Sequence, residues 1–412
     1  MNKIDELIQQ YCPEGVEYVK LNELGSFYSG LSGKSKEDFR DGNAKFITYV
    51  NIFNNPALNT DVEDKVKIAE GEKQNTIQYG DLLFTGSSET PDECGMCSVL
   101  THHTDEHLYL NSFCFGFRFN DLSDKNPDFM KHLFRSSSIR KDICKTANGV
   151  TRYNISKKEF AKIEIPLPPL PVQEAIVNIL DRFAEYTAEL QAELQARQQQ
   201  YNYYLDTLLS FEGREDVQWK KLGEVADLLS GFPFDSTQFT NAGVRLMRGV
   251  NIKRGQLCFN ENDDRYWKST TGLEKYIVDE NDIVISMDGS LVGKSFGMVK
   301  KEHLPLLLVQ RVARIRSSVF NINFIYHCIN NWFPNYVDKK KTQGAIPHIS
   351  MKDIANFPIP SPSLEEQGKI ATILDRFDTL ANDLSQGLPA EIEARQQQYE
   401  YYRDQLLTFK RM

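Results

Sequence analysis

The sharpest chemical candidate in the sequence is "CGMC" at 94–97, followed by His102, His103 and His107. Cys-x-x-Cys followed by a His-x-x-x-His step is a spacing that tetrahedral zinc accepts. A later segment that aligns with it, "MDGSLVGKSFGM" (287–298), holds neither Cys nor His. A zinc that supports the fold belongs in both copies, so the favoured reading is a pair of cysteines on a turn and strand. Enzyme signatures are missing. The sequence has no G-x-G-x-x-G loop, no phosphate-binding G-x-x-x-x-G-K-[ST] and no G-x-S-x-G elbow. "NNPA" (54–57) is not the Asn/Asp-Pro-Pro-aromatic tetrapeptide of an amino-methyltransferase. Neither Pro91-Asp92 nor Pro127-Asp128 leads into a nuclease-type Asp/Glu-x-Lys. Catalysis by this chain alone is not expected, and no catalytic, cofactor-binding or metal residue is assigned.

The basic clusters are better candidates. "RKDICKTANGVTRYNISKK" (140–158) interleaves cations with amides, hydroxyls and a tyrosine, offering Lys145, Thr146, Asn148, Thr151, Arg152 and Tyr153. Cations hold phosphates, and amides and hydroxyls reach base edges. "DKKKTQGAIPHIS" (338–350) offers Lys339, Lys340, Lys341, Gln343 and His348 at the matching place of a second copy. "RLMRGVNIKRG" (245–255) adds Arg245, Arg248, Lys253 and Arg254. It matches "KFITYVNIFNN" (45–55), and in this pair Val50, Ile52, Val250 and Ile252 are expected in the core. A lone charge run is usually a solvated loop. Two basic, glycine-containing loops at matched positions are candidates for contact with DNA.

The elements that carry these loops come from a tandem duplication. "ILDRF" stands at 179–183 and 373–377, and "ARQQQY" at 196–201 and 394–399. "IPLPPLPVQE" (165–174) matches "IPSPSLEEQ" (359–367), "NISKKEF" matches "HISMKDI", and "VEYVKLNELGSFYSG" (16–30) resembles "VQWKKLGEVADLLSG" (217–231). Each unit is a variable block followed by a helical block. The boundaries read 1–164, 165–212, 213–358 and 359–412.

The variable blocks alternate short apolar runs ("DLLFTG", "NSFCFGFRF", "DIVISM", "VARIR") with Gly, Asn, Asp and Pro, a strand pattern. A helical piece is expected near 127–143 and again near 321–337. The blocks are therefore α+β. The first helical block places Ile176, Leu180, Phe183, Thr187, Leu190, Leu194, Arg197, Tyr201, Tyr204 and Leu208 at alternating steps of four and three, a sustained heptad seam. The second begins alike, at Ile370, Leu374, Phe377, Ala381, Leu384 and Leu388. The "ILDRF" copies lie 194 residues apart and the "ARQQQY" copies 198, so four residues are inserted near "QGLPA" (386–390). Gly387 and Pro389 should interrupt the helix there. The simplest arrangement pairs the two helices antiparallel as a coiled coil, with a globular head on each.

Composition sets the remaining bounds. The chain has 412 residues, 41% of them hydrophobic, and no apolar run approaches the ~20 needed to span a bilayer. "MNKIDELIQQ" lacks a signal-peptide layout. The seven scattered cysteines do not form a secreted disulfide framework. A soluble cytoplasmic protein is expected. Of the net charge of −9, the helical stretches 172–212 and 364–412 carry −5 and −3. The remainder is nearly neutral and locally basic, which leaves room for a polyanionic partner.

The two-unit layout, the proline-rich lead-in to "ILDRF", and "LPAEIEARQQQYEYYRDQLLTF" (388–409) resemble the specificity subunits of type I restriction–modification enzymes over the whole chain. The resemblance implies two target-recognition domains, each reading one half of a split site in double-stranded DNA. It implies helices that set the gap and dock two methylation subunits, which bring S-adenosylmethionine, and restriction subunits that bring ATP and Mg. It implies no catalysis, no cofactor and no metal on this chain. Tetrapeptide repeats lengthen this spacer in some members of the family, and "TAELQAELQAR" (187–197) is an imperfect version of them. A DNA-modifying enzyme with its own site lacks a motif here. A coiled-coil scaffold that never touches DNA sits badly with the matched basic loops.

Overall fold

The computed structural model describes residues 3–341, 347–382 and 387–412. The chain divides into two compact units, Met1–Leu190 with Glu391–Met412, and Gln191–Ala390. The division cuts through both helical blocks. Each unit therefore holds one head, the front of the helix that follows it, and the back of the other helix.

In the first unit a four-stranded antiparallel sheet is built from β1 (Gly25–Ser29), β2 (Leu82–Thr85), β3 (Cys97–Val99) and β4 (Cys114–Phe119), in the order β1-β4-β2-β3. The second unit repeats it with β5 (Asp227–Ser230), β6 (Ile283–Ser286), β7 (Phe296–Met298) and β8 (Val312–Arg316), in the order β5-β8-β6-β7. The central strands "LLFT" and "IVIS" are buried along their whole length, as expected of short apolar runs bounded by turns. Gly80 and its counterpart Asn281 turn the chain into those strands with φ of 81° and 67°, a conformation those two residue types accept most readily.

A second small sheet also recurs. Ala44–Ile47 runs parallel to Tyr109–Leu110 in one unit, and Val244–Met247 parallel to Leu306–Leu308 in the other. Each head is closed by its own ends: Tyr18–Lys20 pairs with Glu164–Pro166, and Gln218–Lys221 with Pro358–Ser361.

The helical piece of the first unit is split into α1 (Pro127–Leu133) and α2 (Ser137–Lys145). Its counterpart is continuous as α4 (Ile322–Lys340). Between them in sequence lies α3 (Leu170–Leu208), 39 residues without a break. All ten of its heptad positions are buried or half-buried, because a seam at 3.5-residue spacing faces one side of the helix. The second helical block is two helices, α5 (Leu364–Asn382) and α6 (Leu388–Leu406). Gly387 lies in a bend just before α6, and Leu384 falls outside the described residues. Within the first unit α3 and α6 run antiparallel. Phe183 stacks on Tyr402, and three residues later Tyr186 meets Arg395 and Glu391.

The C-terminal segment completes the first unit. Leu407 and Phe409 are buried in its core, Val16 N–H donates to Lys410 O (2.8 Å), and Met412 N–H donates to Val16 O (3.2 Å). Gly15 makes this closure possible. Its φ is 126°, and a Cβ there would sit 2.7 Å from the Lys410 carbonyl oxygen.

Candidate nucleic-acid interface

Three buried polar devices hold each head in place, and each occurs twice. Asp81, at the foot of β2, receives Nε and Nη2 of Arg118 at 2.8 and 2.6 Å, and Asp282 receives the same two atoms of Arg316 at 2.7 and 2.6 Å. Both aspartates are 1% exposed. The carboxylate holds the Arg118 guanidinium above its ordinary pKa. Gln173 accepts the Asn126 N–H and donates to Pro168 O, and Gln367 accepts the Asn321 N–H and donates to Pro362 O. A planar amide thus closes the proline-rich turn against the start of α1 or α4.

The third device explains the repeated motifs. His132 of α1 lies between Asp181 Oδ1 (2.7 Å, to Nε2) and the Tyr399 hydroxyl (2.9 Å, to Nδ1). His327 of α4 lies between Asp375 Oδ1 (2.7 Å) and the Tyr201 hydroxyl (3.3 Å). The carboxylate only accepts, so Nε2 carries the proton and Nδ1 accepts from the tyrosine. The aspartates come from "ILDRF" and the tyrosines from "ARQQQY". In each unit the aspartate of one helical copy and the tyrosine of the other meet on a histidine of the head. The phenylalanine of "ILDRF" adds a stack, Phe183 on Tyr402 and Phe377 on Tyr204, with centroids 5.4 and 5.0 Å apart. Burial lowers the His132 pKa below its ordinary value despite Asp181. Burial also works on Asp181, which His132 and Lys131 nonetheless hold below the usual carboxylate range.

The loops on this frame carry the candidate residues. In the first unit Asn148, Thr151 and Arg152 are exposed, and Tyr153 is half-buried in a three-stranded sheet made by Ala147–Asn148, Tyr153–Ile155 and Ser87–Ser88. Arg152 donates Nε and Nη2 to Ser87 Oγ, and its guanidinium lies 5.9 Å from the Phe113 ring. Lys145 ends α2 in an ion pair with Asp142. Thr146 is buried and donates its hydroxyl to Ile143 O, so it terminates the helix and presents nothing at the surface.

In the second unit the candidates scatter. Arg245 pairs with Asp264 and covers the Phe259 ring at 4.7 Å. Arg248 donates to Asp263 O. Lys253 and Arg254 are exposed on a turn, and Arg254 borders an open cavity of about 880 Å³ that also meets Lys294, Glu280, Asp375 and Asp378. Lys339 and Lys340 are exposed at the end of α4, and Lys341 pairs with Asp338. His348 bridges to Asp288 through the backbone. Gln343 falls outside the described residues.

Two expectations for the apolar loop residues need correction. Ile52 and Ile252 are buried, but Val50 is 63% exposed and Val250 38%. The chain turns helical there, at Tyr49–Asn54 and Gly249–Asn251. The in–out alternation of a strand stops, and the valines face solvent. Each tip also holds residues that no sequence motif marks, Ser87 and Phe113 in the first unit and Asp288 and Arg311 in the second. For Phe113 and Arg311 the sequence signal is a difference at aligned places, "NSFCF" (111–115) against "VQRVA" (309–313).

The cysteines of "CGMC" are buried. Cys94 Sγ approaches the Tyr153 carbonyl oxygen at 3.5 Å, and burial pushes the Cys97 thiol up to about 12. His102 bonds Thr60 and His103 stacks on Tyr79. Among the described residues no three His, Cys, Asp or Glu side chains gather as metal ligands.

The duplicated frame has a counterpart in known proteins. The model of the type I restriction modification DNA specificity domain matches twice, at residues 13–197 and 214–394. The chain belongs to this family. Among its members, the type I restriction enzyme EcoR124I/EcoR124II specificity subunit of Escherichia coli is 35% identical over 281 residues, which cover 62% of this chain and 65% of that one. The Escherichia coli EcoAI specificity subunit is 30% identical over 224 residues, 53% of this chain and 38% of that one. The matched stretches thus span less than two thirds of either relative.

Two solved structures share the fold over nearly the full length. The S subunit of the type I restriction–modification system of M. genitalium aligns over 95% of this chain and 96% of its own, with a TM-score of 0.59 at 15% identity. A chain solved for complex assembly and conformational transition of the type I R-M system aligns over 96% and 98%, with a TM-score of 0.60 at 18% identity. Among the described residues no helix is long and apolar enough to cross a membrane.

Proposed function

We propose that this chain is the specificity subunit of a type I restriction–modification assembly and performs no chemistry itself. Each head reads one half of a split site in double-stranded DNA. The helices set the gap and dock two methylation subunits, which carry S-adenosylmethionine, and restriction subunits bring ATP and Mg.

One observation carries this reading. Two heads share the same buried clamps on Asp81 and Asp282 and on His132 and His327, yet present different side chains at matched loop tips. A pair of alike frames with unlike tips suits a split target with unlike halves, as a dimer's symmetry suits a palindrome. A scaffold that only bound proteins would have no use for basic loops at matched places, with Lys145 and Arg152 in one and Lys339, Lys340 and Lys341 in the other.

Sequencing the methylome of a host that expresses the chain with methylation subunits tests it. The expected result is a methylated motif of two unlike half-sites at a fixed gap. A continuous motif would contradict the reading, and so would methylation unaffected by removal of this chain.

A further inference from the structure

The tips of the two heads can be compared residue by residue through strand register. Thr85 of β2 lies opposite Cys114 of β4, and Ser286 of β6 lies opposite Val312 of β8. Phe113 and Arg311 therefore occupy the same position, immediately before the strand. Ser87 and Asp288 share another, two residues past the central strand. Phe113 is 63% exposed and the Arg311 side chain 64%.

In one unit Ser87 receives Arg152, whose guanidinium approaches Phe113. In the other, Asp288 Oδ2 receives Arg311 Nη1 at 2.8 Å. Arg311 also has a left-handed backbone, with φ of 64°, which strains a residue with a side chain. An ion pair this exposed contributes little to stability and does not offset that strain. A tight turn holds this conformation, Val312 N–H donating to Val309 O (3.1 Å) and Met287 N–H to Arg311 O (2.9 Å), so the exposed Arg311 side chain leaves the tip from a fixed backbone position, the kind of place where strain accompanies function.

Resting on the DNA-reading role proposed above, we propose that Arg311 and Phe113 are the matched specificity-determining residues of the two heads. Asp288 grips one nitrogen of Arg311 and fixes the plane of the fork. The remaining N–H donors are then set for the O6 and N7 acceptors of a guanine in the major groove. Phe113, 63% exposed, offers an apolar surface that fits the methyl of a thymine. The second unit thus requires a G·C pair where the first requires A·T.

The test uses the full chain assembled with methylation subunits, which selects duplexes from a randomised library. Arg311→Ala is expected to lower discrimination for G at one position of one half-site by roughly ten- to hundredfold. The other half-site stays unchanged. Arg311→Lys is expected to lose the same preference while keeping the salt dependence of binding, because the charge remains and the fork does not. Phe113→Ala is expected to weaken an A·T preference, severalfold, in the opposite half-site only. Melting curves of the variants matching the parent's tie these changes to contact with DNA rather than to folding. The assignment is overturned if Arg311→Ala selects the parent's motif, or if both substitutions alter the same half-site. If the unaltered chain selects no split motif, the DNA-reading role itself fails.

Discussion

In the unit that begins the chain, Asp81 holds Arg118, His132 joins Asp181 to Tyr399, and Gln173 closes the proline turn. In the other, Asp282, His327 and Gln367 do the same to Arg316, Asp375 with Tyr201, and Pro362. At their tips the units part company. One has Ser87, Phe113 and Arg152 at its tip, where the other has Asp288 and Arg311. The difference teaches where each unit was free to vary. A buried polar group left without its partner is costly, so the clamps stay alike. A solvent-facing tip bears no such constraint and is free to differ.

This comparison can be broken from its strongest side. Asp81→Ala and Asp282→Ala should each destabilise their own unit by about 2–3 kcal/mol. That is below the ~3–5 expected for a fully buried pair, because both guanidinium partners are over a third exposed. Thermal unfolding followed separately for the two units checks this, and very unequal losses would count against a shared frame.

His132→Ala and His327→Ala come next, at about 1–3 kcal/mol each, since each takes one hydrogen-bond partner from a tyrosine and an aspartate. Tyr399→Phe should cost more than Tyr201→Phe, the first hydroxyl bond being 2.9 Å and the second 3.3 Å. Tyr201 also accepts from Asn330, so a reversed order would show that this second bond dominates.

Acid adds a smaller effect. The folded His132 pKa lies below its unfolded value of about 6.5, so the stability of the neutral form is present above that value and is lost as pH falls below it. The first unit should begin to soften below about pH 6.5, and His132→Gln should remove that step from its melting profile. At lower pH the depressed Asp181 adds a further loss as it protonates.

The smallest effect on folding is the most specific in function. Inserting AELQ after Leu194 lengthens the unbroken α3 by ~6 Å. It is expected to widen the gap between half-sites and leave both half-sites unchanged, which methylation mapping reads directly.

Much of the frame was legible in the sequence because it is periodic or repeated. The heptad seam from Ile176 to Leu208 follows from spacing alone, and the strands "LLFT" and "IVIS" follow from apolar runs between turns. The histidine clamp was not legible. His132 and Tyr399 are 267 residues apart, and no local pattern announces that the back of one helical copy serves the head at the other end of the chain. The loop candidates were half legible. Charge marks a loop, but it does not say that Thr146 is spent on closing α2 or that Arg245 is held by Asp264. Phe113 is not legible because it stands within the apolar run "NSFCFGFRF", which reads as a strand throughout. In the structure the strand begins only at Cys114, and Phe113 is 63% exposed.

The central claim is that alike frames carry interchangeable tips. The direct measurement is the motif selected after replacing Ser87→Asp and Phe113→Arg together, which gives the first unit the tip chemistry of the second. A melting curve close to the parent's is predicted, with one half-site altered at a single position and the other intact. Two unchanged half-sites, or two altered ones, would contradict the account.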